Sequence, residues 1–301
     1  PLDKPQTLTE SLASIGTAVA ASTFLGSTAL LMNSSQLAST TLLPFSRDAF
    51  RRYNRWVADT WWGWCVSIGK ELYGVKLLYS GDEIPEKENA IVFSNHQQMT
   101  DTTFLMFFGK DKGRLGDMKY FAKYPIKYVP AVGWGMRFID CIFVKRDWAK
   151  DETSIRETFE RFTRDKIPLW LVSFVEGTRI TPTKHERSIE YARTQNLPEL
   201  RHVMVPRTKG FVASVTGLRD HVTAVYDITI GYPEGVPTLW QYVRGMARVA
   251  HMHIRRFPIA ELPTDSDALA RWVLDRFVEK DALLDEYYRT GTFPGSSGPA
   301  K

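Results

Sequence analysis

After residue 66, short apolar runs alternate with longer amphipathic segments along the chain. Each apolar run is rich in Val, Ile, Phe or Tyr and has turn residues nearby, which is typical of buried strands. The predicted strands cover residues 75–79, 90–94, 141–145, 169–175, 202–206, 224–231 and 247–254. The predicted helices cover residues 101–108, 152–164 with Asp151 as N-cap, 184–194, 210–216 and 265–288. This alternation predicts an α/β domain with a mixed, largely parallel sheet flanked by helices.

The first 66 residues follow a different pattern. Residues 11–46 carry no charged side chain, but Ser and Thr are so frequent that the hydropathy falls below that of a confident membrane-spanning helix. The segment from Arg47 to Trp64 then interleaves arginines with Tyr and Trp, a composition favoured at the water–lipid interface. The alternative is an amphipathic helix packed on the protein's own core. We expect membrane contact, through a monotopic anchor or a re-entrant helix pair rather than a single span.

These patterns divide the chain into three parts. Residues 1–66 are predicted to form a membrane-associated helical segment, residues 67–290 an α/β domain, and residues 291–301 a Gly-rich tail too polar to be ordered. A secretory signal is not expected, because a basic n-region is missing and the neutral stretch is too long. The first residue is Pro1 rather than Met, which suggests a trimmed form of the chain.

Composition narrows the classes of function. A chain of 301 residues, 44% of them hydrophobic, can bury a full core. The net charge of +5 suits anionic ligands or an anionic membrane surface, but it is far below the charge density of a nucleic-acid-binding protein. The two cysteines, Cys65 and Cys141, lack metal-type spacing and exclude a disulfide framework, so a reduced compartment is expected. His251 and His253 would share one side of a predicted strand without further ligands, so no metal is expected.

The clearest chemical signal is His96 with Asp101, directly after the predicted strand 90–94. Five positions along one helix would separate two side chains by about 140°. His96 is therefore predicted to lie in the loop before the helix, with Asp101 in the first turn. A carboxylate there can hold one imidazole nitrogen and leave the other as a general base. The alternative is a polar helix cap after a buried strand.

Three further stretches place charged or polar residues, which could bind a ligand, at the ends of apolar runs. Glu176, Gly177, Thr178 and Arg179 follow a strongly apolar strand, where glycine allows a sharp turn and arginine matches a phosphate. The other two stretches carry the basic pairs Lys145 with Arg146 and Arg207 with Lys209. Taken singly, each stretch is explained as well by a surface turn or by solvated charge.

Taken together, in this order and spacing, these stretches resemble the blocks that characterise the glycerolipid acyltransferase family. Asn95-His96 and Asp101 match its Asn-His-x-x-x-x-Asp block, and residues 176–179 match its Glu-Gly-Thr-Arg block. Within the family, the chain looks most like the plant 1-acyl-sn-glycerol-3-phosphate acyltransferases of the endoplasmic reticulum, through residues 143–152, 174–179, 205–212 and 225–229. The resemblance extends over roughly residues 45–262. It departs from the family pattern at the two residues after His96, where the family's block often reads His-Arg-Ser or His-Gln-Ser and this chain has Gln97 and Gln98, and in the Ser/Thr-rich N-terminus.

The resemblance implies transfer of an acyl group from acyl-CoA to the sn-2 hydroxyl of lysophosphatidic acid, with acyl-CoA as co-substrate and no cofactor. His96 would act as the general base and Asp101 would orient it. The residues implied to bind substrate are Glu176, Gly177, Thr178, Arg179, Arg207, Lys209, Lys145 and Arg146, with Arg179 on the phosphate. The implied location is a membrane, the endoplasmic reticulum or the bacterial inner membrane at its cytoplasmic face.

Other functions fit the residues less well. Another lysophospholipid or glycerol 3-phosphate could be the acceptor, since the two glutamines beside His96 leave the acceptor open. A non-catalytic lipid-binding protein on the same fold would have no use for the His96–Asp101 pair. A soluble hydrolase would need a nucleophile motif, and the sequence contains no Gly-x-Ser-x-Gly.

Overall fold

A computed structural model describes residue 2, residues 7–145 and residues 147–295. The centre of the molecule is a seven-stranded sheet in the order β1-β7-β6-β2-β5-β3-β4. The strands are β1 (Lys76–Gly81), β2 (Ala90–Ser94), β3 (Met118–Lys123), β4 (Ile142–Val144), β5 (Trp170–Ser173), β6 (Ala224–Gly231) and β7 (Val249–Pro258). All neighbours are parallel except β6 and β7. The predicted mixed, largely parallel α/β sheet is therefore confirmed.

Nine α-helices lie among the described residues. They are α1 (Leu8–Ser39), α2 (Arg47–Ser67), α3 (Thr100–Asp111), α4 (Val132–Phe138), α5 (Trp148–Arg164), α6 (Pro182–Thr194), α7 (Thr208–Leu218), α8 (Leu239–Val243) and α9 (Ser266–Thr290). Helices α2 and α3 contribute to the core on one face of the sheet, while α5, α7 and α9 contribute to the core on the other. β2 is buried at every position because both of its faces are covered.

The N-terminal helices pack along the domain. Near its start, α1 is tied to the domain by Arg244, whose guanidinium donates to the hydroxyls of Ser11 and Ser14 at 3.0 and 2.9 Å. Near its end, Asn54 of α2 donates to the Ser39 hydroxyl at 2.9 Å. Both ends of α1 are thus held against folded structure. Its outer side remains apolar and exposed, at Leu12, Val19, Phe24, Leu30, Leu31 and Leu37.

One predicted strand is wrong and one strand was missed. Residues 202–206 form no ladder, although Val203 and Met204 are buried. Their backbone N–H groups donate to side chains instead, with His202 N on Asp281 at 2.6 Å. The missed strand is β3, which reads as polar because of Lys119. That lysine is buried, and its ammonium donates to the Ile139 carbonyl at 3.0 Å.

Other differences concern element ends. Helix α5 begins earlier than predicted, with Asp147 as its N-cap. Asp151 lies in the first turn and accepts from the Lys145 N–H at 2.9 Å, so its assignment as N-cap is wrong. In the predicted tail, Phe293 is buried and stacks on Tyr287 with ring centroids 4.4 Å apart. Residues 296–301 lie outside the described part of the chain.

Candidate active site

The site forms where the carboxyl ends of β5, β2 and β6 lie side by side. The segments that leave these strands carry Glu176, His96 and Tyr232 respectively. Asn95 fixes the start of the central segment: its amide donates to the Ile230 carbonyl at 3.0 Å and accepts from the Ile230 N–H at 2.8 Å. The side chain thereby continues the β2–β6 hydrogen bonding for one more residue and holds the next position steady.

Asp101 organises the turn between β2 and α3. It lies in the first turn of α3 and is fully buried. Its Oδ2 accepts from His96 Nδ1 at 2.9 Å, from the Gln97 N–H at 2.7 Å and from the Gln98 N–H at 2.8 Å. Its Oδ1 accepts from the Tyr232 hydroxyl. The predicted placement of His96 in the loop and Asp101 in the helix agrees with this geometry.

The imidazole of His96 is held on two sides. One ring face stacks on Phe174, with centroids 3.9 Å apart and planes 16° apart. Because a carboxylate only accepts, Nδ1 carries the proton in the bond to Asp101 and Nε2 is left with a lone pair. The side chain is 11% exposed. A partly exposed imidazole with a fixed tautomer can take a proton from a bound hydroxyl.

Glu176 braces the loop that carries His96. One carboxylate oxygen accepts from the His96 N–H at 2.7 Å and the other from the Met204 N–H at 3.0 Å. Burial raises the pKa of Glu176 to about 8, against the opposing effect of those two backbone donors. The geometry favours a positioning role, because both oxygens face backbone N–H groups. Direct contact between Glu176 and substrate stays a prediction.

The turn after Glu176 brings two loops close together. Gly177 has φ +73°, and a Cβ there would meet the Arg207 side chain at 2.9 Å. The Arg207 N–H also donates to the Val175 carbonyl at 2.7 Å. The left-handed backbone requires glycine here, whereas the flexible, exposed Arg207 side chain could move away from a Cβ.

Two basic side chains, Arg179 and Lys184, lie next to the loops that carry His96 and Glu176. Arg179 is exposed, and its Nη1 donates to Gln98 Oε1 at 2.5 Å. Thr178 accepts from the ammonium of Lys184 at 2.8 Å. The sequence analysis did not single out Lys184 as a site residue. It could have been found from its position in the first turn of α6, just after the Glu-Gly-Thr-Arg stretch.

The other predicted basic residues are less closely tied to His96. Lys209 is exposed in the first turn of α7, and Arg207 is exposed directly before it. Lys145 follows β4 at the same edge of the sheet, with its ammonium 5.1 Å from the centre of the Tyr124 ring. Arg146 lies outside the described residues.

Sequence reasoning also missed Tyr232, Tyr288 and Lys280. The Tyr288 hydroxyl donates to Gln97 Oε1 at 3.0 Å, which connects the end of α9 to the loop that carries His96. Lys280 is fully buried in α9, pairs with Asp227 and donates to the Ile228 carbonyl at 2.7 Å. These residues are distant in sequence from the motifs. Among the described residues, no group of three or more His, Cys, Asp or Glu could hold a metal ion.

Comparison with known proteins shows the family. The acyltransferase family model matches residues 76–232, and the model of the acyltransferase C-terminus matches residues 241–301. The 1-acyl-sn-glycerol-3-phosphate acyltransferase 2 of Brassica oleracea is 39% identical over 258 residues, covering 84% of this chain and 66% of that protein. The human delta 1-acyl-sn-glycerol-3-phosphate acyltransferase is 34% identical over 277 residues, covering 88% of this chain and 71% of the relative. The chain thus spans about two thirds of the length of its plant relatives.

A solved structure supports the fold. The 1-acyl-sn-glycerophosphate (LPA) acyltransferase PlsC from Thermotoga maritima superposes with a TM-score of 0.55 at 17% identity, over 90% of this chain and 97% of that one. The family expected from the motifs is confirmed by the sequence comparisons. The chain belongs to the acyltransferase family, and its relatives include the 1-acyl-sn-glycerol-3-phosphate acyltransferases of plants and animals.

Proposed function

We propose that this protein transfers an acyl group from acyl-CoA to the sn-2 hydroxyl of 1-acyl-sn-glycerol 3-phosphate, producing phosphatidic acid and free CoA. The observation that carries the proposal is the His96–Asp101 pair at 2.9 Å, with the exposed Arg179 joined to the same loop through Gln98. The names of the relatives support the choice of acceptor.

The reaction needs a base for a weakly nucleophilic alcohol. As the hydroxyl oxygen bonds to the thioester carbonyl carbon, His96 Nε2 takes the hydroxyl proton. Asp101 stabilises the imidazolium through Nδ1. The carbon–sulfur bond then breaks, and the proton passes from His96 to the departing thiolate. A thiolate leaves readily, so the enzyme itself supplies no nucleophile.

The acceptor phosphate is proposed to bind at Arg179. A guanidinium presents several N–H groups in a plane, and only one of its nitrogens is bonded to Gln98 in this structure. Lys184, Arg207 and Lys209 supply further positive charge nearby or on adjoining loops. These basic side chains would also suit the phosphate of glycerol 3-phosphate. A direct assay with each acceptor is therefore needed to identify the substrate.

Membrane attachment is proposed to occur through the outer side of α1. One helical stretch of the described residues, Leu8–Leu42, is long and apolar enough to cross a membrane. However, Arg244 ties the start of α1 to the domain and Asn54 ties its end to α2, which favours a helix lying in the membrane surface. Such an attachment would place the domain beside its lipid substrate.

The decisive experiment uses purified protein, mass-tagged acyl-CoA and separate acceptors: lysophosphatidic acid, other lysophospholipids and glycerol 3-phosphate. Product with lysophosphatidic acid alone supports the proposal, and product with another acceptor reassigns the substrate. Free fatty acid without acceptor identifies a hydrolase, and binding without turnover identifies a non-catalytic lipid-binding protein.

The matched variants are His96→Ala and His221→Ala. His96→Ala is expected to abolish transfer while the protein stays folded. His221 precedes β6 at the opposite edge of the sheet, where its Nε2 contacts the Ile167 carbonyl at 2.7 Å. His221→Ala should therefore keep its activity per folded molecule. Normal turnover by His96→Ala would overturn the mechanism.

A further inference from the structure

Tyr232 is a buried tyrosine whose hydroxyl contacts the Asp101 carboxylate, on the oxygen that does not face His96. It directly follows β6 and is only 2% exposed. Its hydroxyl donates to Asp101 Oδ1, while His96 occupies Oδ2 of the same carboxylate. The two oxygens therefore have separate tasks: one faces the imidazole and the loop, and the other faces the tyrosine.

The tyrosine is itself held firmly. Its ring packs against Phe104 of α3 with centroids 5.6 Å apart. The β2–β6 pairing and the two hydrogen bonds between Asn95 and Ile230 fix the end of β6 against the catalytic loop. Burial raises the pKa of Tyr232 far above its ordinary value, so the phenol is a neutral hydrogen-bond donor at any working pH.

Loss of this donor would leave a specific defect. Asp101 is fully buried, and Tyr232 is the donor to its Oδ1 among the hydrogen bonds of the described residues. A carboxylate with all its donors on one oxygen can rotate toward a different arrangement. It would also concentrate more negative charge on the oxygen that faces His96.

We propose that Tyr232 is a positioning residue for the acyl transfer, acting through Asp101. Its hydroxyl fixes the carboxylate rotamer and draws charge away from Oδ2. It thereby sets the geometry of the imidazole and limits how strongly the carboxylate holds the imidazolium. This inference rests on the proposed function for its kinetic consequence, but the tyrosine's effect on the imidazole can be measured without turnover.

Other charged and titratable groups lie on the elements around the same imidazole. They come from each element around the site and are Asp101 on α3, Glu176 and Arg179 after β5, and Tyr288 and Lys280 on α9. The test must change Tyr232 and leave all of these in place.

The variant pair Tyr232→Phe and Tyr242→Phe meets that requirement. Both rings pack on Phe104, at 5.6 Å for Tyr232 and 5.8 Å for Tyr242. The buried Tyr242 hydroxyl has no hydrogen-bond partner among the described residues. Each substitution removes one buried hydroxyl and keeps the ring, but only the first removes a donor from Asp101.

The kinetic expectation is a fall in kcat of about tenfold for Tyr232→Phe, as for loss of one hydrogen bond to a charged group. The acid limb of its kcat/KM profile should also move to higher pH, because Asp101 then holds the protonated imidazole more tightly. Tyr242→Phe should change neither quantity by more than about twofold. Rates within about twofold of wild type and an unmoved acid limb in Tyr232→Phe would overturn the proposal.

Two further measurements separate this inference from the proposed function. Nitrogen-15 NMR of labelled histidines follows the His96 ring directly, and its titration midpoint should move upward in Tyr232→Phe even if no acyl transfer is found. An unchanged His96 midpoint would contradict the role inferred for Tyr232. A shifted midpoint in a protein whose wild type shows no acyl transfer would contradict only the proposed function. In an Asp101→Asn background, Tyr232→Phe should lose its effect on residual rate, and a fully additive effect would show that Tyr232 does not act through Asp101.

Discussion

Arg179 Nη1 lies 2.5 Å from Gln98 Oε1 and joins the loop after β5 to the loop that carries His96. Gln98 stands two residues after His96, where the first block of the family often has a serine. Its side-chain oxygen holds the guanidinium beside that loop, so the residue proposed to bind the phosphate is oriented by a near neighbour of the proposed general base.

Arg179→Ala is expected to raise KM for the phosphorylated acceptor about 10- to 100-fold, because a charge-assisted contact is lost, while KM for acyl-CoA changes little. Gln98→Ala should raise the same KM by a smaller factor, since the charge remains but its orientation is lost. Steady-state kinetics with each substrate varied provide the measurement. Arg193→Ala, which breaks an exposed pair with Glu199, is the control. An unchanged acceptor KM in Arg179→Ala would assign the residue a structural role.

Asp101→Asn is expected to lower kcat about 10²- to 10⁴-fold, the range for a general base that has lost its function. An asparagine oxygen can replace only part of the acceptor set, and its NH₂ group opposes the donors of the loop. The comparison is single-turnover rate per folded molecule, with folding followed by circular dichroism. A rate near wild type would show that the imidazole needs no anionic partner.

The buried carboxyl of Glu176 should make stability depend on pH. Its pKa of about 8 in the folded protein exceeds its ordinary value of 4.5, so the folded protein holds a proton that the unfolded chain releases. The free energy of unfolding therefore decreases as pH rises from about 5 to about 8, by up to about 1.4 kcal/mol per pH unit from this one group. Urea unfolding across that range measures the slope.

Glu176→Gln is the matched variant for that slope. The amide cannot ionise, so this contribution to the pH dependence should disappear. The variant should also be less stable at low pH, because its NH₂ group faces a backbone N–H. Parallel slopes for wild type and Glu176→Gln would contradict a neutral Glu176 in the folded state.

Lys280→Met should destabilise the fold by about 3–5 kcal/mol, because it leaves the buried Asp227 carboxylate without its ammonium partner. Lys119→Met is the comparison, since Lys119 is also buried but its ammonium contacts only the Ile139 carbonyl among the hydrogen bonds described. Denaturant melts of the two variants give the difference. Equal losses of stability in the two variants would show that the ion pair with Asp227 makes no contribution to the stability beyond that of the buried lysine itself.

Membrane binding should depend on the outer side of α1. Leu31 and Leu37 are 70% and 65% exposed, and Leu31→Asp with Leu37→Asp should reduce sedimentation with phospholipid vesicles. Val278→Asp is the control, because Val278 is an exposed apolar residue on α9 at the opposite face of the sheet. Equal loss of binding in the two proteins would argue against α1 as the contact surface.

Local patterns were sufficient for much of the fold. Strands β2 and β6 have the predicted bounds, since each is rich in apolar residues and buried on both faces, although β6 also contains Asp227 and Thr229. The five positions between His96 and Asp101 likewise require a loop followed by a helix, whatever lies around them. The basic and aromatic pattern of residues 47–64 indicated a helix, although not how it would pack.

Tertiary structure decided what local patterns could not. Residues 202–206 have strand-like composition, but Asp281 and Glu176 satisfy their N–H groups in place of a neighbouring strand. Lys119 makes β3 read as polar, because nothing in the local sequence reveals the carbonyl that its ammonium contacts.

The same division holds in the active site. Local sequence was sufficient to predict the pairing of His96 with Asp101 and the order of the loops that carry the basic residues. Only the tertiary structure decided that Glu176 faces two backbone N–H groups and that Tyr232, 131 residues along the chain from Asp101, supplies its second oxygen with a donor. The physical reason is that a hydrogen bond depends on position and direction in space, which for residues far apart in sequence are set by how the strands pair and not by local pattern.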